Sequence, residues 1–144
     1  MSTHPAREHV MEQRFDRGFR SLDAIFEFVS AFISRQSLDE AVAYSLNLAV
    51  EELFTNMVKY NSGAGERILI RMSREAKLVV VELIDFNVDP FDPDTVAEVT
   101  TDQPIDERSP GGLGLHLVKS IVDKVSYEYK DRQMKVTVIK RLES

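Results

Sequence analysis

Three places in the chain carry residue types whose spacing could do chemistry. The run Pro110-Gly111-Gly112-Leu113-Gly114-Leu115-His116-Leu117-Val118 puts three of the six glycines into four residues, directly ahead of an apolar helical pattern. A glycine-rich turn that feeds a helix start exposes backbone N–H groups beside the positive end of a helix dipole, an arrangement that suits a phosphate. No Lys-Ser or Lys-Thr follows the glycines, which excludes a Walker A loop. Leu117 stands where the dinucleotide fingerprint needs a third small residue, which excludes that motif too. A glycine hinge before a helix is also ordinary punctuation, so the loop gains meaning from what lies upstream of it.

Upstream, Glu52 and Asn56 are four residues apart and share one face of a predicted helix. They continue the row Ser45–Ala49 along the border of an apolar stripe, while Glu51 is turned about 100° away. An acid and an amide turned inward need partners, because an unpaired buried polar group costs about 1–3 kcal/mol. A pair at the rim of the stripe would need none. Asp85 closes an aliphatic run just before a long loop. A carboxylate at a strand exit can accept a hydrogen bond from a ligand amine, and can equally form a turn. Arg108, ahead of the glycines, has the guanidinium fork to cap a phosphate or is one more solvated arginine. Phe91-Asp92-Pro93 reads as turn chemistry.

The elements that must position these residues follow from periodicity. Residues 1–9 form a polar tail, and a weak strand follows at Val10–Phe15. Apolar positions 22, 25, 26, 29, 32 and 33 predict a helix from Leu22 with Ser21 as its N-cap. Ser37-Leu38-Asp39-Glu40 reads as a capping box that opens a second helix. Its stripe runs through Leu38, Ala41, Val42, Ala49, Leu53 and Met57, up to the turn Asn61–Gly65. The period then changes to two: Ile68–Met72 and Leu78–Ile84 read as adjacent strands joined near Arg74–Lys77. Asn87–Pro110 has no periodicity and holds four of the five prolines; loops this long are uncommon and usually functional. A helix near Leu113–Lys124 and two strands, Val125–Lys130 and Met134–Arg141, complete the chain, with Asp131-Arg132-Gln133 as a hairpin link. Paired strands with segregated helices predict an α+β two-layer sandwich, a mixed or antiparallel sheet covered on one face by helices.

Length and composition bound the function. With 144 residues, 43% of them hydrophobic, the chain fits one domain, residues 10–144 after the tail. A net charge of −6 argues against binding nucleic acid directly. There is no apolar run of membrane-spanning length and no apolar signal-peptide core, which makes the cytoplasm the default location. Cysteine is absent, and His4, His9 and His116 have no spacing suited to a metal.

The order of the signals is more specific than any one of them. Glu-x-x-x-Asn on a helix, Asp at a strand exit, a long loop and Gly-Gly-x-Gly opening a helix together resemble the ATP-binding domains of the GHKL superfamily, the Bergerat fold shared by gyrases and histidine kinases. The N-box-like run is Glu52-Leu53-Phe54-Thr55-Asn56-Met57-Val58-Lys59-Tyr60. The first glycine box corresponds to Asp85-Phe86-Asn87, and the second to Gly111-Gly112-Leu113-Gly114-Leu115. Within that superfamily, Glu107–Gly114 followed by Val125-Ser126-Tyr127-Glu128 is similar to the anti-sigma-factor serine kinases of bacterial partner-switching systems. The resemblance spans residues 10 to 142.

The resemblance implies an ATP- and Mg²⁺-dependent protein-serine kinase that also binds ADP. Asn56 would ligate Mg²⁺ and Glu52 would act as the base. Asp85 would read the adenine amine, with Thr137 near the ring. Lys59 and Arg108 would lie near the phosphates, and residues 89–110 would form a lid. The implied partners are an STAS-type anti-anti-sigma protein and a sigma factor, with a homodimer as the assembly that relatives suggest. Asn87 stands where the family usually has glycine, and Asp85 to Phe91 is one residue longer than its usual spacing. A second reading is therefore a kinase-inactive regulator that sequesters its partners by contact. A third, ATP hydrolysis for conformational work, would need a transducer domain.

Overall fold

The alternating runs pair into one sheet. The computed structural model describes residues 9–60, 67–86 and 117–142. Its elements are β1 (Val10–Phe15), a 3-10 turn (Phe19–Ser21), α1 (Leu22–Arg35), α2 (Glu40–Tyr60), β2 (Ile68–Glu75), β3 (Leu78–Asp85), β4 (Lys124–Lys130) and β5 (Gln133–Arg141). Residues 117–121 are helical as well. The strand order is β1-β2-β3-β5-β4, and every neighbouring pair is antiparallel. This is the α+β sandwich that the sequence predicts, and among the described residues its sheet is wholly antiparallel.

Strand alternation gives the sheet two unlike faces. On the inner face Ile70 pairs with Leu83, Met72 with Val81, and Val81 with Val138, all buried. Against them α1 sets Ile25, Phe28, Val29 and Phe32, and α2 sets Leu46, Val50, Leu53, Phe54 and Met57. Phe15 meets Phe28 edge-to-face, with ring centroids 5.6 Å apart. Two predicted core positions are corrected. Phe26 is 58% exposed and Ala41 is also exposed. The row facing the sheet is 25, 28, 29 and 32, and Phe26 is turned about 100° from Ile25; Ala41 precedes the inward row, which begins at Val42.

On the open face, charge replaces apolar packing. Arg71 lies 2.8 Å from Glu12 and 2.9 Å from Glu82, and Lys135 lies 3.6 Å from both Glu82 and Glu128. Alternating signs thus cross all five strands. Hydrogen bonds to Glu12 and then Glu82 raise the Arg71 pKa above its ordinary value.

The turns and caps are local chemistry. Asp131 and Arg132 both have positive φ, 53° and 65°, the pairing that lets a two-residue hairpin follow the strand twist. The capping box is corrected: the N–H of Val42 donates to Asp39 Oδ1 at 2.9 Å, so Asp39 caps α2, and Ser37 lies before it with φ 55°. Ser21 makes no cap bond, and its hydroxyl donates to the Asp16 carbonyl instead. The late helical segment stops at 121 rather than at Lys124, which already belongs to β4. Val118 and Val122 bury that segment in the core, Lys140 Nζ donates to the Ile121 carbonyl, and the Asp123 N–H donates to the Ile139 carbonyl. No helix among the described residues is long and apolar enough to cross a membrane.

Phe32→Ala should cost about 3–5 kcal/mol of stability as a cavity-forming change, whereas Phe26→Ala should shift it by no more than about 0.5 kcal/mol, as exposed sites do. Urea unfolding followed by circular dichroism measures both.

Candidate functional site

The rotation of α2 decides which polar groups line the site. Leu53, Phe54 and Met57 lie against the sheet, and Glu52, Asn56 and Lys59 follow one line at its border, within about 60° of each other around the axis. Burial peaks in the middle of that line: Glu52 is half-buried, Asn56 is 7% exposed, and Lys59 in the last turn is exposed. The amide of Asn56 is the telling group. Its Nδ2 is buried and has no hydrogen-bond partner among the described residues. Such a buried orphan costs about 1–3 kcal/mol, and a ligand would remove that cost.

Asp85 ends β3 on the inner face and is 2% exposed. Both of its oxygens are engaged by Arg17. Nη1 donates to Oδ1 at 2.5 Å and Nη2 to Oδ2 at 3.2 Å, a bidentate fork. Nη2 also donates to the Met57 carbonyl at 3.0 Å. Arg17 therefore ties the end of α2, one residue past Asn56, to the end of β3. It can do so because Gly18 beside it adopts φ 127° and ψ 159°, a conformation that is essentially reserved for glycine. Arg17 was not among the predicted site residues. Its signal, an Arg-Gly step between a strand and a helix, is too common to stand out.

Thr137 is not brought to this group. In β5 the residues that face the helices are Val136 and Val138, so Thr137 points to the open face, opposite Glu82 and Ser126. This corrects the expectation, taken from the resemblance, that Thr137 lies near the adenine ring on the Asp85 side of the sheet. The β5 residue directly opposite Asp85 is Met134, which packs against the core. Asn87, Arg108, Gly111, Gly112, Leu113, Gly114, Leu115 and the 89–110 lid lie outside the described residues. The nearest described neighbour of Asn87 is Phe86, whose ring lies 4.9 Å from the Arg14 guanidinium.

The residues present fit a nucleotide with a divalent cation. An Asn amide oxygen is a hard ligand of the kind Mg²⁺ takes. Among the described residues no group of three His, Cys, Asp or Glu could hold a metal alone. A cation beside Asn56 would complete its shell with phosphate oxygens and water, as Mg²⁺ usually does. Asp85 is a suitable acceptor for a base amine, and it is the group that Arg17 holds.

Comparison with known sequences gives the family. The family model described as the histidine kinase-like ATPase domain matches residues 18–140. The chain belongs to that family. Membership implies that the chain binds a nucleotide, and Arg17 falls just outside the matched stretch. Among solved structures, this ATPase domain is similar to the RsbU and RsbW domains of Rv1364c from Mycobacterium tuberculosis, with TM-score 0.67 and 12% identity over 92% of this chain. It spans 32% of that longer chain. It is similar also to a chain of the SiaB–SiaC complex from Pseudomonas aeruginosa, with TM-score 0.65 and 12% identity, covering 92% of this chain and 90% of that one. At such identity the likeness is one of fold. No curated protein matches the sequence.

Thr137→Val should leave the ATP affinity of this domain within about twofold, and Asn56→Ala should weaken it about tenfold or more. Calorimetry in the presence of Mg²⁺ separates the two.

Proposed function

We propose that this domain is an ATP- and Mg²⁺-dependent protein-serine kinase that acts as an anti-sigma factor in a partner switch, phosphorylating a serine of an STAS-type anti-anti-sigma protein. The observation that carries the reading is the buried Asn56 amide, one helical turn beyond Glu52, whose Nδ2 has no partner among the described residues and so awaits an acceptor such as a phosphate oxygen. Similarity in fold to an RsbW domain and to the SiaB–SiaC complex supports the choice of partner class.

Each residue then has a task. Asn56 offers its amide oxygen to the cation. When bound, Mg²⁺ supplies charge neutralisation on the phosphate oxygens. Glu52, half-buried at the helix border, takes the proton from the serine hydroxyl as its oxygen bonds to the γ-phosphorus and the bond to the ADP oxygen breaks. Lys59 adds positive charge at the mouth of the site, as would Arg108 and the backbone N–H groups of Gly111–Leu115. Asp85 reads the base amine. On the product, phosphate adds about −1.5 to −2 charge. Against a chain of net charge −6, that repulsion releases the antagonist and frees the kinase to hold its sigma factor. This work takes place in the cytoplasm.

One observation favours the second reading, a kinase-inactive regulator that sequesters its partners. Both oxygens of Asp85 are already engaged by Arg17. A single experiment decides between the two: incubation with γ-labelled ATP and a purified STAS-type partner. Glu52→Ala should lower phosphate transfer by about 10²–10⁴-fold, the usual worth of a general base, while leaving nucleotide affinity intact. Full transfer by that variant would remove Glu52 from its role, and absence of transfer by the unsubstituted protein would favour the regulator.

A further inference from the structure

The carboxylate that would read the base is closed off in the free protein. The Asp85 side chain retains 3% exposure and that of Arg17 10%. The fork takes one position on each carboxylate oxygen, and Nη2 is shared with the Met57 carbonyl. A carboxylate has about four acceptor positions and the fork takes two, but with both side chains this deeply buried an exocyclic amine reaches Asp85 only if the guanidinium moves aside. A buried carboxylate cannot be left without a partner, so cation and amine are alternative occupants of one acceptor. Arg17 belongs to neither a strand nor a helix: it follows β1, precedes the 3-10 turn, and adjoins Gly18, whose backbone angles a side-chain-bearing residue rarely adopts.

We propose that Arg17 is the residue that sets affinity for the base, occupying Asp85 in the free protein and withdrawing as the nucleotide enters. This rests on the nucleotide reading of the site. Every molecule with Arg17 in place is one not yet competent for the base, so the observed affinity is lowered by the fraction in which Arg17 is out. The effect falls chiefly on the base end, because Arg17 holds Asp85 through both oxygens and reaches α2 through the Met57 carbonyl rather than through a site side chain. Asn56 and Glu52 make no contact with Arg17 among the bonds described above, and a ligand with phosphates but no base would not meet it. A purely structural ion pair predicts the opposite: removing Arg17 would disorder the site and weaken every ligand.

The test compares Mg²⁺–ATP with Mg²⁺–tripolyphosphate, which lacks a base, by calorimetry on the unsubstituted protein, Arg17→Gln and Arg17→Lys, with circular dichroism to show that each is folded. Arg17→Gln should bind ATP about tenfold more tightly or better, with tripolyphosphate affinity unchanged; Arg17→Lys, which keeps a charge but loses the fork, should fall between. ATP affinity that is unchanged or weaker in a folded Arg17→Gln protein overturns the inference. Should tripolyphosphate still bind in that case, the nucleotide reading stands without it. If neither ligand binds any of the proteins, both fall together. If both variants unfold, side-chain NMR of the unsubstituted protein decides. The Arg17 guanidinium protons should be protected from exchange in the free protein, and saturating ATP, unlike tripolyphosphate, should abolish that protection. Protection retained under saturating ATP overturns the inference.

Discussion

The packing of α2 on the inner face of the sheet governs the rest. This 21-residue helix must bury Leu46, Val50, Leu53, Phe54 and Met57 at once. Those side chains allow one rotation about its axis, because a turn of a single position would lift part of the row into solvent and bring polar neighbours inward. The same rotation puts Asn56 at the border with its amide covered, and leaves Glu52 half in water. Apolar burial thus carries an orphan amide into place and outweighs its desolvation. The helix ends beside the exit of β3, so its last turn and Asp85 become neighbours as a result of core formation.

The Arg17–Asp85 pair is a different kind of contact. Removing two charges from water costs several kcal/mol per ion before attraction offsets it, so the pair is weak evidence for stability and better evidence of position. It draws the segment after β1 onto the ends of α2 and β3, three elements that are far apart in sequence. The guanidinium gives the buried carboxylate the partner that a charge out of water requires. On the proposed reading, such a cation keeps the carboxylate partnered from within until a base arrives.

How much of this was legible in the sequence depends on the length scale of the signal. The 3.6 and 2.0 periods located both helices and four of the strands to within a few residues, and Asp131–Arg132 announced its hairpin through link length. Glu52 and Asn56 were legible as a pair because a helix converts spacing into a shared face, while Lys59 entered only through the family resemblance. Asp85 was legible as a carboxylate at a strand exit. Thr137 was misjudged because which face a strand residue occupies depends on register. That register is set by which neighbour is inward, and the pairing of Asp85 with Met134 is a tertiary fact. The cap of α2 was placed two residues early, since Ser37 and Asp39 both carry capping oxygens and only the chain path selects Asp39. Phe26 fits a helical stripe as well as Phe28 does, and the position of the sheet breaks the tie. Arg17 belongs to no period at all.

The alternating charges on the open face have a bearing on how the strands find their alignment. A slip of one residue is resisted by the core, since it would exchange the two faces. A slip of two preserves the faces, and hydrophobicity alone would tolerate it more readily. Here such a slip meets charge. In one direction it would set Arg14 in place of Glu12 opposite Arg71, and Lys130 in place of Glu128 opposite Lys135. Like charges directly across a strand pair are destabilising. The row Glu12–Arg71–Glu82–Lys135–Glu128 acts as a spelling check on strand alignment, and it operates on the face of the sheet that the core leaves unsupervised.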